Sequence, residues 1–267
     1  MTNTSRIKFA TDLVTFYGTS YWGGSGDMSD LEAVLRQHNW SPERFWERML
    51  TDVHAAGLDG IEITFAPGNW HSALQAYGSA AGFSQALKSH QLELCSGYLS
   101  NRIPGTTRYA DISDCADHPI MVEMADQYAE FLATCGADTM VISLPLRTSL
   151  LADVPRFVDA KSAENIADAL NRIGYATRKR GVKLALHPEA FSMFRNTRDV
   201  DLFMLYTDPS YVFLCPDTAQ FVVAGSNPID IVSRHRERVT ITHWKDATGA
   251  APLDIPIDES IYDTQVQ

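Results

Sequence analysis

Val212-Phe213-Leu214-Cys215-Pro216-Asp217-Thr218-Ala219-Gln220 and Val239-Thr240-Ile241-Thr242-His243-Trp244-Lys245-Asp246 decide the reading of this chain, because each is an apolar run ending on a group able to hold a metal. Between them Ala224-Gly225-Ser226-Asn227-Pro228 reads as a loop closing into a helix start, with Asn227 as cap and Pro228 in the first turn. Strand, helix, strand is the unit of a parallel sheet, so Asp217 and His243 are expected on one rim of a repeating scaffold.

The same unit recurs towards the N-terminus. Short β-branched or apolar runs stand at Ile7 to Val14, Gly60 to Thr64, Leu92 to Ser96, Thr139 to Leu144 and Val182 to His187. With Val212 to Cys215 and Val239 to His243 they make seven expected buried parallel strands. Helix starts are expected at Ser41-Pro42-Glu43 and Ser162-Ala163-Glu164, and Gly57, Gly136 and Gly181 mark helix ends just ahead of a strand. Phe45, Trp46 and Met49, at helical spacing, are expected core residues. A doubly wound sheet has the same rhythm, but the first strand leads into Tyr17-Gly18-Thr19-Ser20-Tyr21-Trp22-Gly23-Gly24, which lacks the glycine-rich phosphate loop of that fold. The expectation is a (β/α)8 TIM barrel of the α/β class, with residues 1–267 as a single domain. After Asp246 the prolines Pro252 and Pro256 oppose a central strand. The eighth strand and helix are therefore expected to be missing, and 247–267 to form an irregular tail or long loop.

Bulk properties narrow the function. An apolar fraction of 45% in 267 residues suffices for a large core. A formal charge of -11 argues against a nucleic-acid backbone as partner, since counterion release needs clustered Lys and Arg. No apolar run approaches the ~20 residues of a membrane span, and there is no signal-peptide pattern, so a cytoplasmic protein is expected. Cys95, Cys115, Cys135 and Cys215 show no CxxC spacing and are expected as buried free thiols.

At this point the chain resembles the xylose-isomerase-like TIM-barrel superfamily of sugar isomerases, epimerases and inosose dehydratases. The likeness is most specific from Asp217-Thr218 through Ala224-Gly225 and Asn227-Pro228 to Arg238 and His243-Trp244-Lys245-Asp246. Leu184-Ala185-Leu186-His187-Pro188-Glu189 and Gly57-Leu58-Asp59-Gly60-Ile61-Glu62 match more loosely. The resemblance implies a divalent cation, manganese first, with cobalt, magnesium, iron or zinc as alternatives. It implies Asp217 and His243 as two ligands and Glu189 as a third, with His187 as its substitute or neighbour. Two departures stand out: Gln220 replaces a histidine common three residues after the aspartate, and the last metal-binding glutamate of the eighth strand is not found.

Such a cation would stabilise charge while a carboxylate removes a proton next to a carbonyl. Glu189 and Lys245 are the expected catalytic groups. Glu62, Trp22, Trp70, His71, His187, Gln220 and Trp244 are the expected substrate contacts, the indoles with Tyr17 and Tyr21 forming a wall for a sugar face. Plainer roles stand beside these: Asp217 as a turn residue, His243 as a core histidine, Glu189 as a solvated loop acid and Glu62 as the partner of an arginine. The first expectation is an isomerase or epimerase of a sugar or cyclitol. The alternatives are a lyase or dehydratase on a keto-cyclitol or oxidised glycoside, and a non-catalytic sugar-binding barrel. A small carbohydrate is the expected partner, and exposed sheet edges favour a homo-oligomer.

Overall fold

The computed structural model describes residues 7–24, 31–147, 156 and 158–251. It divides into two compact units, Met1–Ser100 with Tyr128–Asp138, and Asn101–Gln127 with Thr139–Gln267.

In the first unit β1 (Ala10–Asp12), β2 (Gly60–Ile63) and β3 (Glu93–Tyr98) pair in parallel in that order. Helices α1 (Leu31–Gln37), α2 (Pro42–Ala55), α3 (Trp70–Tyr77) and α4 (Ala80–Ser89) belong with them, as does α5 (His118–Cys135) from Tyr128 onwards. Local chemistry explains α2. Ser41 accepts the Arg44 N–H, and Pro42 opens the helix where no intrahelical donor is needed. Phe45, Trp46, Met49, Leu50 and Val53 then recur with the helical period, and all are buried. Trp46 meets Phe83 of α4 edge-on at 4.9 Å between centroids, and Phe83 stacks on Phe131 of α5 at 5.9 Å. The approach of α5 to β3 depends on Gly97, where a Cβ would lie 2.0 Å from the Tyr128 hydroxyl.

The first strand is shorter than the expected Ile7 to Val14. Asp12 caps a 3-10 turn at Leu13–Phe16 by accepting the Val14 N–H at 3.0 Å, and this side-chain bond ends the strand.

In the second unit β4 (Thr139–Ser143), β5 (Lys183–His187) and β6 (Val212–Leu214) are parallel in that order. With them go α6 (Ala160–Lys179), α7 (Thr197–Tyr206), α8 (Thr218–Val223) and α9 (Pro228–His235). Asn227 caps α9 ahead of Pro228, as expected. The start of α6 differs. Asp159, not Ser162, is the cap, and the two exchange bonds: Asp159 Oδ1 accepts the Ser162 N–H at 2.7 Å and Ser162 Oγ accepts the Asp159 N–H at 3.0 Å.

The expected seventh strand, Val239 to His243, is not a strand but a segment held by two parallel bridges, Leu214 with Val239 and Asp217 with His243. From Leu214 to Asp217 is three steps, while from Val239 to His243 is four, so one residue is extra and the ladder is interrupted as in a bulge. Pro216 also has no N–H to donate, although its carbonyl accepts the His243 N–H at 2.9 Å. Arg238 secures the start of the segment by donating to Val212 O at 2.9 Å, Met204 O at 3.1 Å and Thr207 Oγ1 at 2.9 Å. Residues 247–251 are irregular, and the expected tail at 252–267 lies outside the described residues.

All four cysteines are free thiols. Cys95 and Cys115 depart from the expected burial: Cys95 is half-buried in β3, and Cys115 is exposed in a 3-10 turn before α5 and donates to Asn165 Oδ1 at 2.9 Å. Among the described residues no helix is long and apolar enough to cross a membrane.

Candidate metal centre

The carboxyl ends of β4, β5 and β6, with the bridged segment beyond α9, supply a cluster within the second unit. Ser143 and His187 are the last residues of β4 and β5 and are register partners, so their side chains leave the sheet on the same side. Asp217 follows β6 and caps α8, its Oδ1 accepting the Gln220 N–H at 3.0 Å. His243 stands opposite Asp217 across the bulge.

Ligand atoms of His187, Asp217 and His243 lie within 4.8 Å of one another. His187 is 3% exposed and Asp217 0%, and His243 is half-buried. The two imidazoles have centroids 4.7 Å apart. Nε2 of His187 is 3.3 Å from Asp217 Oδ2, and Nζ of Lys245 is 3.0 Å from the same oxygen. Two imidazoles and one carboxylate converging out of water are a donor set that fits a borderline divalent cation.

Electrostatics lead to the same conclusion. Burial pushes the Asp217 carboxyl up, but the hydrogen bond from His187 and the charges of Lys245 and His187 outweigh it and hold the group well below the usual carboxylate range. Burial likewise disfavours a charged His187, yet bonds and charges from Asp217 and Glu189 on its two sides raise it to about 9. The field at this point therefore favours a cation, and a metal ion would take the place of a proton.

Glu189, the expected third ligand, stands outside the cluster. Its Oε1 accepts the Ser143 hydroxyl at 2.9 Å and is 3.7 Å from His187 Nδ1, whereas Nε2 is the nitrogen bonded to Asp217. The cause is the backbone: the Glu189 N–H bonds to Phe194 O at 3.0 Å and its carbonyl accepts the Ser192 N–H at 2.9 Å, so the chain has already turned away from the strand. His187 takes the place expected for Glu189. Gln220, expected to touch substrate, is 2% exposed and accepts the Ala190 N–H at 2.7 Å, a bond that fixes the turn after β5. Lys245 is anchored through its backbone, its carbonyl accepting the Thr218 hydroxyl at 2.5 Å, and neighbouring Trp244 is 67% exposed. Ser143, which touches both His187 and Glu189, escaped the sequence reading. Its only signal was a polar residue near the end of the run Thr139 to Leu144.

The remaining expected contacts belong to the first unit. Trp22 is a core residue rather than a sugar platform: it is 1% exposed, stacks on Phe45 at 4.8 Å, meets Trp40 edge-on at 5.1 Å and donates to Phe16 O at 2.8 Å. Tyr17 also serves packing, its hydroxyl accepting the Gly68 N–H at 2.9 Å and donating to Phe65 O at 2.5 Å. Trp70 is half-buried against Tyr128 and Phe131, both at 5.7 Å, with exposed His71 beside it at 4.0 Å. Glu62 is buried, and its Oε2 accepts the Ser96 hydroxyl at 2.5 Å.

An inosose dehydratase of Bacillus velezensis is 27% identical over 208 residues, covering 75% of this chain and 62% of that protein. Across the relatives of that name the matched stretch spans 42% to 64% of their length. The solved structure of the IolI protein with a bound zinc atom superposes with a TM-score of 0.64 at 16% identity, covering 94% of this chain and 77% of that one. The probable 3-DHS dehydratase AsbF of Bacillus anthracis gives 0.63 at 15%, covering 91% and 75%. At these identities the two structures carry the fold alone. The model of the xylose isomerase-like TIM barrel family matches residues 50–263, most of the chain, and the chain belongs to that family.

Proposed function

We propose that the chain is a divalent-metal-dependent lyase of the dehydratase kind, acting on a polyhydroxylated ring ketone such as a keto-cyclitol. The observation that carries this is the convergence of His187, Asp217 and His243 within 4.8 Å, with Lys245 and Glu189 each in contact with a member of the cluster. Isomerisation or epimerisation, the first expectation from sequence, begins with the same proton abstraction. Relatives named inosose dehydratase weigh in favour of elimination.

His187, Asp217 and His243 would hold the divalent ion, which when bound would supply Lewis acidity to a substrate carbonyl. Glu189, half-buried and held by Ser143, is the base that accepts the proton from the neighbouring carbon. Lys245 is the acid, handing a proton from Nζ to the departing hydroxyl, while its bond to Asp217 holds the ammonium in place. One C–H and one C–O bond break, a C=C bond forms, and the hydroxyl leaves as water without net redox change. Buried His187 and Asp217 keep water away from this side of the site. A set with two imidazoles suits zinc or cobalt better than manganese, the ion expected first.

The test is to load purified protein with zinc, cobalt or manganese, add a keto-inositol, and follow enone absorbance with loss of one water by mass spectrometry. Solvent deuterium in an epimeric product without water loss returns the epimerase. Protein that holds no stoichiometric ion, and gains none on titration, is a sugar-binding barrel instead.

A further inference from the structure

Ser143 occupies a position that the metal cluster and the base share. It ends β4 opposite His187 in register, and its Oγ lies 3.2 Å from His187 Nδ1 and 2.9 Å from Glu189 Oε1. A serine hydroxyl has one proton and two lone pairs. Two acceptors compete for that proton, Glu189 Oε1 at 2.9 Å and the His187 carbonyl at 3.4 Å, and the shorter contact to a carboxylate takes it. The lone pairs of Oγ then face Nδ1, which must carry a hydrogen to make the contact favourable. Without an ion, Nε2 also carries a hydrogen and donates it to Asp217 Oδ2 at 3.3 Å; an ion would displace that hydrogen, and with Nδ1–H held by Ser143 the freed lone pair is at Nε2, facing Asp217.

We infer that Ser143 is a positioning residue: its hydroxyl locks His187 as the Nδ1–H tautomer with Nε2 aimed at the ion, and ties that ligand to the base Glu189. This rests on the metal-dependent function proposed above and adds to it the residue that sets the ligand's orientation. Histidine ligands commonly donate their second N–H to a carboxylate, and here the carboxylate is reached through a hydroxyl. The relay also explains why Glu189 remains outside the ligand cluster, since Ser143 holds one of its oxygens on the Nδ1 side of the ring.

The experiment measures zinc affinity by competition with a chelating dye in wild-type protein and in Ser143→Ala. Loss of an outer partner of this kind lowers metal affinity by about 10–100-fold. The pair Ser143→Thr and Ser143→Val separates hydroxyl from volume: threonine is expected to retain affinity within about threefold, while valine falls with alanine. Imidazole nitrogen NMR of the zinc-loaded protein gives a second readout, a single Nδ1–H signal for His187 in wild type that is lost in Ser143→Val. Wild-type affinity in both Ser143→Ala and Ser143→Val overturns the inference and leaves the metal centre standing. A wild-type protein that binds no zinc overturns both.

Discussion

Asp217→Asn isolates the charge of the central ligand from its structural duties. Asparagine caps a helix as well as aspartate does, so the bond to the Gln220 N–H survives. What disappears is the negative charge shared by His187 at 3.3 Å and Lys245 at 3.0 Å. In wild type, zinc at 100 times its dissociation constant adds about 2.7 kcal/mol to folding stability. At roughly 2–4 °C per kcal/mol for a chain of this size, the melting temperature rises by about 5–11 °C. The variant is expected to show almost none of this rise in differential scanning fluorimetry. Without metal it still melts as one cooperative transition, lower by the loss of a charged hydrogen bond, about 1.5–3 kcal/mol. An undiminished zinc-induced rise in Asp217→Asn would refute the ligand assignment, whatever the variant's catalytic rate.

Other outcomes follow from the packing and the hydrogen bonds. Gly97→Ala brings a methyl to 2.0 Å from the Tyr128 hydroxyl, 2.7 Å from Tyr128 Cζ and 2.8 Å from Leu132 Cδ2, and should cost about 1–3 kcal/mol in urea unfolding, of which Tyr128→Phe, removing only the first of these clashes, restores a minor part. Gln220→Ala leaves the Ala190 N–H unbonded in a buried turn, so a loss of about 1–3 kcal/mol is expected, whereas a purely substrate-facing Gln220 would leave stability unchanged. Burial pushes the Asp111 carboxyl up, but Ser113 and Arg156 outweigh it and hold the group below the usual range. Its contribution is therefore full above the unfolded carboxyl pKa near about 4 and fades as pH falls through the folded value. Asp111→Asn should lower stability by about 1 kcal/mol at pH 7 and converge with wild type in strong acid.

What could be read without coordinates was what local chemistry decides. Ser41 with Pro42 and Asn227 with Pro228 announce helix starts because a cap is settled within four residues. Asp217 and His243 were legible because each closes an apolar run. The choice between His187 and Glu189 was not, since both follow the same run and only the turn from Glu189 to Phe194 separates them. Trp22 illustrates a different failure. An indole in a glycine-rich loop looks available, and only distant Trp40 and Phe45 fill its faces. Ser143 gains its importance from an adjacent strand, a pairing that no local pattern encodes.

The bulge between Val239 and His243 makes this centre a matter of odd and even. Side chains on an extended chain alternate, so a residue too many or too few exchanges which of Thr242 and His243 stands opposite Asp217. Chemistry on this rim is thus sensitive to insertions and deletions that leave every ligand residue in the gene. A related chain can carry an aspartate and a histidine and lack the site, simply by counting differently between them.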